Sequence, residues 1–173
     1  MKLSYIISIM LAAALMTELS SAQTLSTSTG RTNGITIEYN NNNYDSLKKM
    51  RSLIIEGEYD NAANRAIKFI RNNEGNERNG VEKTVYLKEA YNILCVASTS
   101  LGKLEYAMDA CNRSLQLSPN HWESLKNRGV IHYLKNDYDK ALADLKLAHQ
   151  NSPSDKIREG LAQNVSLVES KLN

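Results

Sequence analysis

The sequence predicts an all-α fold, a solenoid of about three helical hairpins closed by a C-terminal capping helix. Three observations carry that expectation. Apolar or small residues recur at one 3-4-3 spacing, in Tyr59-Ala62-Ala66-Phe69, Leu104-Ala107-Cys111-Ser114 and Tyr138-Ala141-Leu145-Ala148. The second and third copies stand 34 residues apart, and Ser118-Pro119 returns in register as Ser152-Pro153. Eight glycines and two prolines in 173 residues are few, which favours helix over a turn-rich β fold. A period of this length is one helical hairpin, too small to bury its own apolar stripe and therefore stacked on the next copy.

Taken in chain order, Lys2, the apolar run Tyr5 to Met16 and the small residues Ser20-Ser21-Ala22 read as an export signal over residues 1–22, cleaved after Ala22. The run is shorter than the ~20 residues that span a bilayer, so no integral membrane segment is expected after cleavage. The mature chain is then expected in the periplasm or secreted. Residues 23–43 are rich in Ser, Thr, Asn and Gly and lack the hydrophobic density to offset their ordering entropy, so they are expected to be a flexible segment.

From Tyr44 the pattern becomes helical, giving a domain over 44–173. Antiparallel pairs are expected at 44–56 with 59–73, 84–101 with 104–117, and 120–135 with 138–151. Their turns fall at Gly57, Gly102-Lys103 and Asn136-Asp137. The polar, Gly-bearing run from Asn72 to Glu82 reads as a loop that lengthens one connection. Ser154-Asp155 then starts a last helix, 155–172. Ile157, Leu161, Val165, Val168 and Leu172 follow at helical spacing, as the cover of an open solenoid end requires.

Charge and motifs narrow the function classes. Twenty-one Lys and Arg against 19 Asp and Glu give +2 with the signs interspersed, unlike the basic stripe that nucleic acid demands. There is no helical His-Glu-x-x-His pair, no Gly-x-Ser-x-Gly elbow and no phosphate-cradling loop. No catalytic residue, metal or cofactor is therefore expected. His121 and His149 could approach at the open end of the third hairpin, but they lack a third ligand. Cys95 and Cys111, the two cysteines of the chain, lie almost opposite each other in the second hairpin. Packed helix axes usually stand 8–10 Å apart, whereas a disulfide needs Cα atoms within about 4.4–6.8 Å. A close crossing would give a bridge, and otherwise the pair is two buried thiols.

Residues 88–153 resemble the tetratricopeptide repeat, a 34-residue unit with large residues at 4, 7 and 11, small ones at 8, 20 and 27, and proline at 32. From Trp122, Leu125, Gly129, Tyr138, Ala141, Leu145, Ala148 and Pro153 fall at 4, 8, 17, 20, 24, 27 and 32. From Lys88, Tyr91, Leu94, Cys95, Ala107, Cys111, Ser114 and Pro119 fall at 4, 7, 8, 20, 24, 27 and 32. Arg128 stands where Leu is usual and His132 where Tyr is usual. The units are placed at about 43–76, 88–121 and 122–155, and the earliest matches mainly in its second helix.

The resemblance implies a concave groove lined by the first helix of each hairpin and used to bind an extended or helical peptide. Its groove positions here are Glu89, Asn92, Val96 and Thr99, then Glu123, Lys126, Val130 and Tyr133, with Arg51 from the first unit. Some members clamp a C-terminal carboxylate with Lys and Asn. Lys126 is present, but Val130 stands where the Asn is expected. The implied function is a non-enzymatic protein–protein interaction module, an adaptor or assembly factor in the bacterial cell envelope with a protein or peptide partner. The competing readings are a self-associating structural subunit and a cryptic enzyme or metal protein. The oligomeric state stays open.

Overall fold

Seven helices account for the residues described by the structure, a computed structural model covering 41–74 and 80–172. They are α1 (Asn41–Ile55), α2 (Tyr59–Asn73), α3 (Gly80–Ser100), α4 (Leu104–Leu117), α5 (Trp122–Leu134), α6 (Tyr138–Gln150) and α7 (Asp155–Leu172). No described helix is long and apolar enough to cross a membrane. The expected export signal, and the flexible segment up to Asn40, lie outside the described residues. Two boundaries differ from expectation by three residues or more. Helix α1 starts at Asn41 rather than Tyr44, and Ser46 Oγ donates to the Asn42 carbonyl inside its first turns. Helix α3 starts at Gly80, so it takes up the end of the expected loop.

All three hairpin turns are built alike. Gly57, Gly102 and Asn136 each adopt a left-handed conformation, with φ of 78°, 72° and 61°. The amide after each reaches five residues back, Glu58 to Leu53, Lys103 to Ser98 and Asp137 to His132, at 2.8–2.9 Å. Each left-handed residue also bonds three back, to Ile54, Thr99 and Tyr133. This double closure satisfies the last carbonyls of the first helix and turns the chain sharply. The second helices then open alike, with Asp60, Glu105 and Asp139 in the first turn, where a negative charge favours the amide end of a helix.

Between the two helices of each hairpin sits one alanine, Ala62, Ala107 or Ala141, fully buried in every case. Gly129 shows why small residues belong at such crossings. A Cβ there would stand 3.0 Å from Leu145 Cγ and 3.3 Å from the Ala141 carbonyl oxygen. Neighbouring first helices also touch, α1 against α3 and α3 against α5. The central helix α3 is consequently buried all round from Ala90 to Thr99. One apolar cluster runs from Leu47 and Met50 through Phe69 and Leu94 to Ile131. A second joins Leu125, Tyr133, Leu145 and Ala148 to Leu161 and Val168 of α7, which therefore covers the last hairpin. Leu172, at the end of that stripe, is exposed.

Cys95 and Cys111 are joined in a disulfide, both fully buried. Their Cα atoms are 5.2 Å apart, well inside the usual interhelical spacing. The close crossing that the bridge required is therefore present. Arg128, at a position where Leu is usual, donates from Nε and Nη2 to the two oxygens of Asp144 at 2.7 and 2.8 Å, and from Nη1 to Asn112 Oδ1 at 2.9 Å. It thereby ties α5 to α6 and α4. His132 packs beside this pair half-buried, and burial pushes its pKa down against the pull of Asp144 and Asp137.

Candidate functional site

The first helices bring a band of polar side chains together across all three hairpins. Arg51 of α1 reaches over to Glu89 of α3 and to Glu123 of α5, the latter at 3.4 Å. His121, the residue before α5, places Nε2 3.1 Å from Glu89 Oε1 and 3.6 Å from Glu123 Oε2. Asn92 donates to Glu123 Oε2 at 3.1 Å, and its carbonyl oxygen accepts from Asn127 at 2.8 Å. Behind them Ser124 Oγ lies 2.8 Å from His121 Nδ1 and 2.7 Å from Ser114 Oγ, which donates to the Lys88 carbonyl.

The repeat explains this convergence. Glu89 and Glu123 hold the same place in successive units, 34 residues apart, so stacking sets them side by side. Two carboxylates that close repel unless cations stand between them. Burial alone would raise the Glu89 pKa. The His121 hydrogen bond and the charges of Arg51, His121 and Lys88 outweigh it and hold the carboxyl at about 2, below its ordinary 4.5. The Arg51 guanidinium loses water on burial, yet Glu123 and Glu89 raise its pKa further.

The groove residues expected from the sequence fall into two groups. Arg51 and Glu89 keep 31% and 17% of their side chains accessible. Asn92, Val96, Thr99, Glu123, Lys126, Val130 and Tyr133 are all buried. Val130, at an expected groove position, packs with Leu134 and with Leu167 of α7. Tyr133 joins the apolar cluster of the last hairpin and meets the Tyr138 ring at a centroid distance of 5.5 Å. Thr99 Oγ1 donates back to the Cys95 carbonyl, and Lys126 Nζ stands 5.9 Å from the Trp122 ring centre. Groove positions here largely serve contacts between helices.

His121 is the member that the sequence reading misplaced. The sequence lets His121 and His149 approach and sets a metal aside for lack of a third ligand, whereas the fold stands His121 beside Glu89 and Glu123. The signal was present in the shared repeat position of the two glutamates and the place of His121 just before that unit. The three donor atoms lie within 4.8 Å of one another.

Comparison with known proteins accords with the fold. Residues 99–165 match the tetratricopeptide repeat family. The DnaJ protein P58IPK homolog of Arabidopsis thaliana is 36% identical over 70 residues, 40% of this chain and 14% of that protein. DnaJ homolog subfamily C member 3 of Homo sapiens is 28% identical over 116 residues, 66% of this chain and 22% of that protein. The chain thus spans only 14–22% of the length of these curated relatives. Among solved structures, the first tetratricopeptide domain of Spaghetti (RPAP3), bound to the HSP90 peptide SRMEEVD, is similar with a TM-score of 0.60 at 16% identity. That match covers 80% of this chain and 98% of the other. With its repeated hairpins, its small-residue crossings and its capping helix, the helical region of this chain has the tetratricopeptide repeat fold, and residues 99–165 carry the match to that family.

Proposed function

We propose that this chain is an exported, non-enzymatic interaction module that binds a peptide or protein segment along the face of α1, α3 and α5. Its setting is the bacterial cell envelope, where it acts as an adaptor or assembly factor. The observation that carries the reading is the partly accessible Arg51–Glu89 pair, fixed on stacked first helices of a tetratricopeptide fold. A charge pair presented by stacked helices suits recognition of a polar segment. A similar domain has been solved with a peptide bound. The buried Cys95–Cys111 bond supports export, because such bonds persist in oxidising compartments.

Crosslinking of the mature chain in its native envelope, followed by partner identification, tests the reading. Wild type should yield a defined partner. Arg51→Ala and Glu89→Gln should reduce its capture at least tenfold while helicity stays unchanged. Equal capture by both variants would remove this face from the binding surface.

A further inference from the structure

We propose that Glu89, His121 and Glu123 form a binding site for a divalent transition-metal ion of zinc-like preference, clasping α3 to the start of α5. The inference rests on local geometry; it shares Arg51 and Glu89 with the peptide-binding face, and metal titration reads it separately from partner capture.

Hydrogen accounting leads to it. Ser114 spends its one hydroxyl hydrogen on the Lys88 carbonyl, so it accepts from Ser124. The other neighbour of Ser124 is Asn92 Oδ1 at 3.1 Å, also an acceptor. The Ser124 hydrogen is therefore committed, and His121 Nδ1 must donate to Ser124 Oγ at 2.8 Å. That bond fixes the ring and leaves Nε2 facing the carboxylate oxygens of Glu89 and Glu123. A bare nitrogen lone pair aimed at two carboxylates is repulsive, so a proton or a metal ion must sit among the three atoms.

The spacing suits a metal. A tetrahedral zinc ion with bonds of about 2.0–2.1 Å holds its ligands about 3.4 Å apart. The two Nε2 distances, 3.1 and 3.6 Å, bracket that value. One imidazole with two carboxylates is a donor set that zinc accepts, leaving a fourth position open. His121 and Glu123 are buried and Glu89 nearly so, which limits competition from water. Arg51 is the rival cation. Its guanidinium contacts both carboxylates, so an ion must displace it, and 31% of its side chain is accessible to solvent.

Calorimetric titration of the full, disulfide-intact chain with zinc chloride, after treatment with a chelator, tests the site. The intact Cys95–Cys111 bond removes thiols from the competition. Wild type should bind one equivalent, and Arg51→Ala should bind at least tenfold more tightly because the rival cation is gone. Glu89→Gln, which preserves shape and is partly exposed, should bind at least tenfold more weakly. Zinc should raise the thermal midpoint of wild type and Arg51→Ala but not of Glu89→Gln. Failure of Arg51→Ala to bind one equivalent would overturn the proposal. Undiminished binding by Glu89→Gln would place the ion elsewhere and overturn it equally.

Discussion

The hairpins α3–α4 and α5–α6 share a repeat register and differ in how they close their interior. At one crossing the first has the Cys95–Cys111 bond, and the second sets Gly129 beneath Leu145. One step earlier on each helix, the first has the buried apolar pair Leu94 and Ala110, and the second has the ion pair Arg128–Asp144. The turns of the two hairpins are bonded alike. The repeat therefore prescribes a spacing between helices, and several chemistries satisfy it. A covalent bridge acts mainly by restricting the unfolded chain, whereas Gly129 and Leu145 act by contact in the folded one.

Five outcomes would break or sharpen that contrast. Leu145→Ala should cost the most, about 3–4 kcal/mol, because its fully buried side chain roofs the glycine. Urea unfolding followed by circular dichroism measures it, and a loss under about 1 kcal/mol would deny the crossing its role. Removal of the bridge by the double change Cys95→Ala with Cys111→Ala should cost about 3 kcal/mol. Reductant should then lower the urea midpoint of wild type and leave that of the double variant unmoved.

Gly129→Ala comes next. Its added methyl meets Leu145 and the Ala141 carbonyl, so a loss of about 2 kcal/mol is expected. Combined with Leu145→Ala, the two changes should cost clearly less than their sum, since the smaller residue vacates the contested space.

Acid titration probes the contact between the hairpins rather than the interior of either. Glu89 is held at about 2 in the fold against an ordinary 4.5. A depressed carboxyl stabilises above its unfolded value and ceases to do so as pH falls through its folded one. Stability should thus drop between pH 4.5 and 2, by on the order of 1–2 kcal/mol. Glu89→Gln should flatten that limb in pH-dependent unfolding.

The smallest effects lie in the turns. Gly102→Ala should cost about 1 kcal/mol, because a side chain is strained at a φ of 72°. Asn136→Gly should change stability by only about 0.5 kcal/mol, since asparagine tolerates that conformation. Thermal unfolding of both variants would show whether the two turns are equivalent.

Much of this architecture was legible in the sequence because it is local. Helical periodicity placed α2, α4 and α7 with their observed bounds, and left-handed residues appear at Gly57, Gly102 and Asn136 where turns were expected. Small residues at Ala107, Gly129 and Ala141 announced the close crossings. Less of the site could be read. Repeat numbering selected Glu89, Asn92 and Glu123 as one surface, yet Val130 and Tyr133 turned out to be packed among neighbouring helices. Numbering describes where a residue sits on its own helix, and not which later helix covers it.

The amino-acid pattern by itself determined that hairpins form and where they turn, since helix propensity and turn geometry act over a few residues. Tertiary structure alone decided whether Cys95 reaches Cys111, which groove positions α7 covers, and that His121 meets two glutamates from successive repeats. These outcomes depend on differences of an ångström or two in how one hairpin rests on another. Such differences arise from the summed packing of many side chains and leave no mark on any short stretch of sequence.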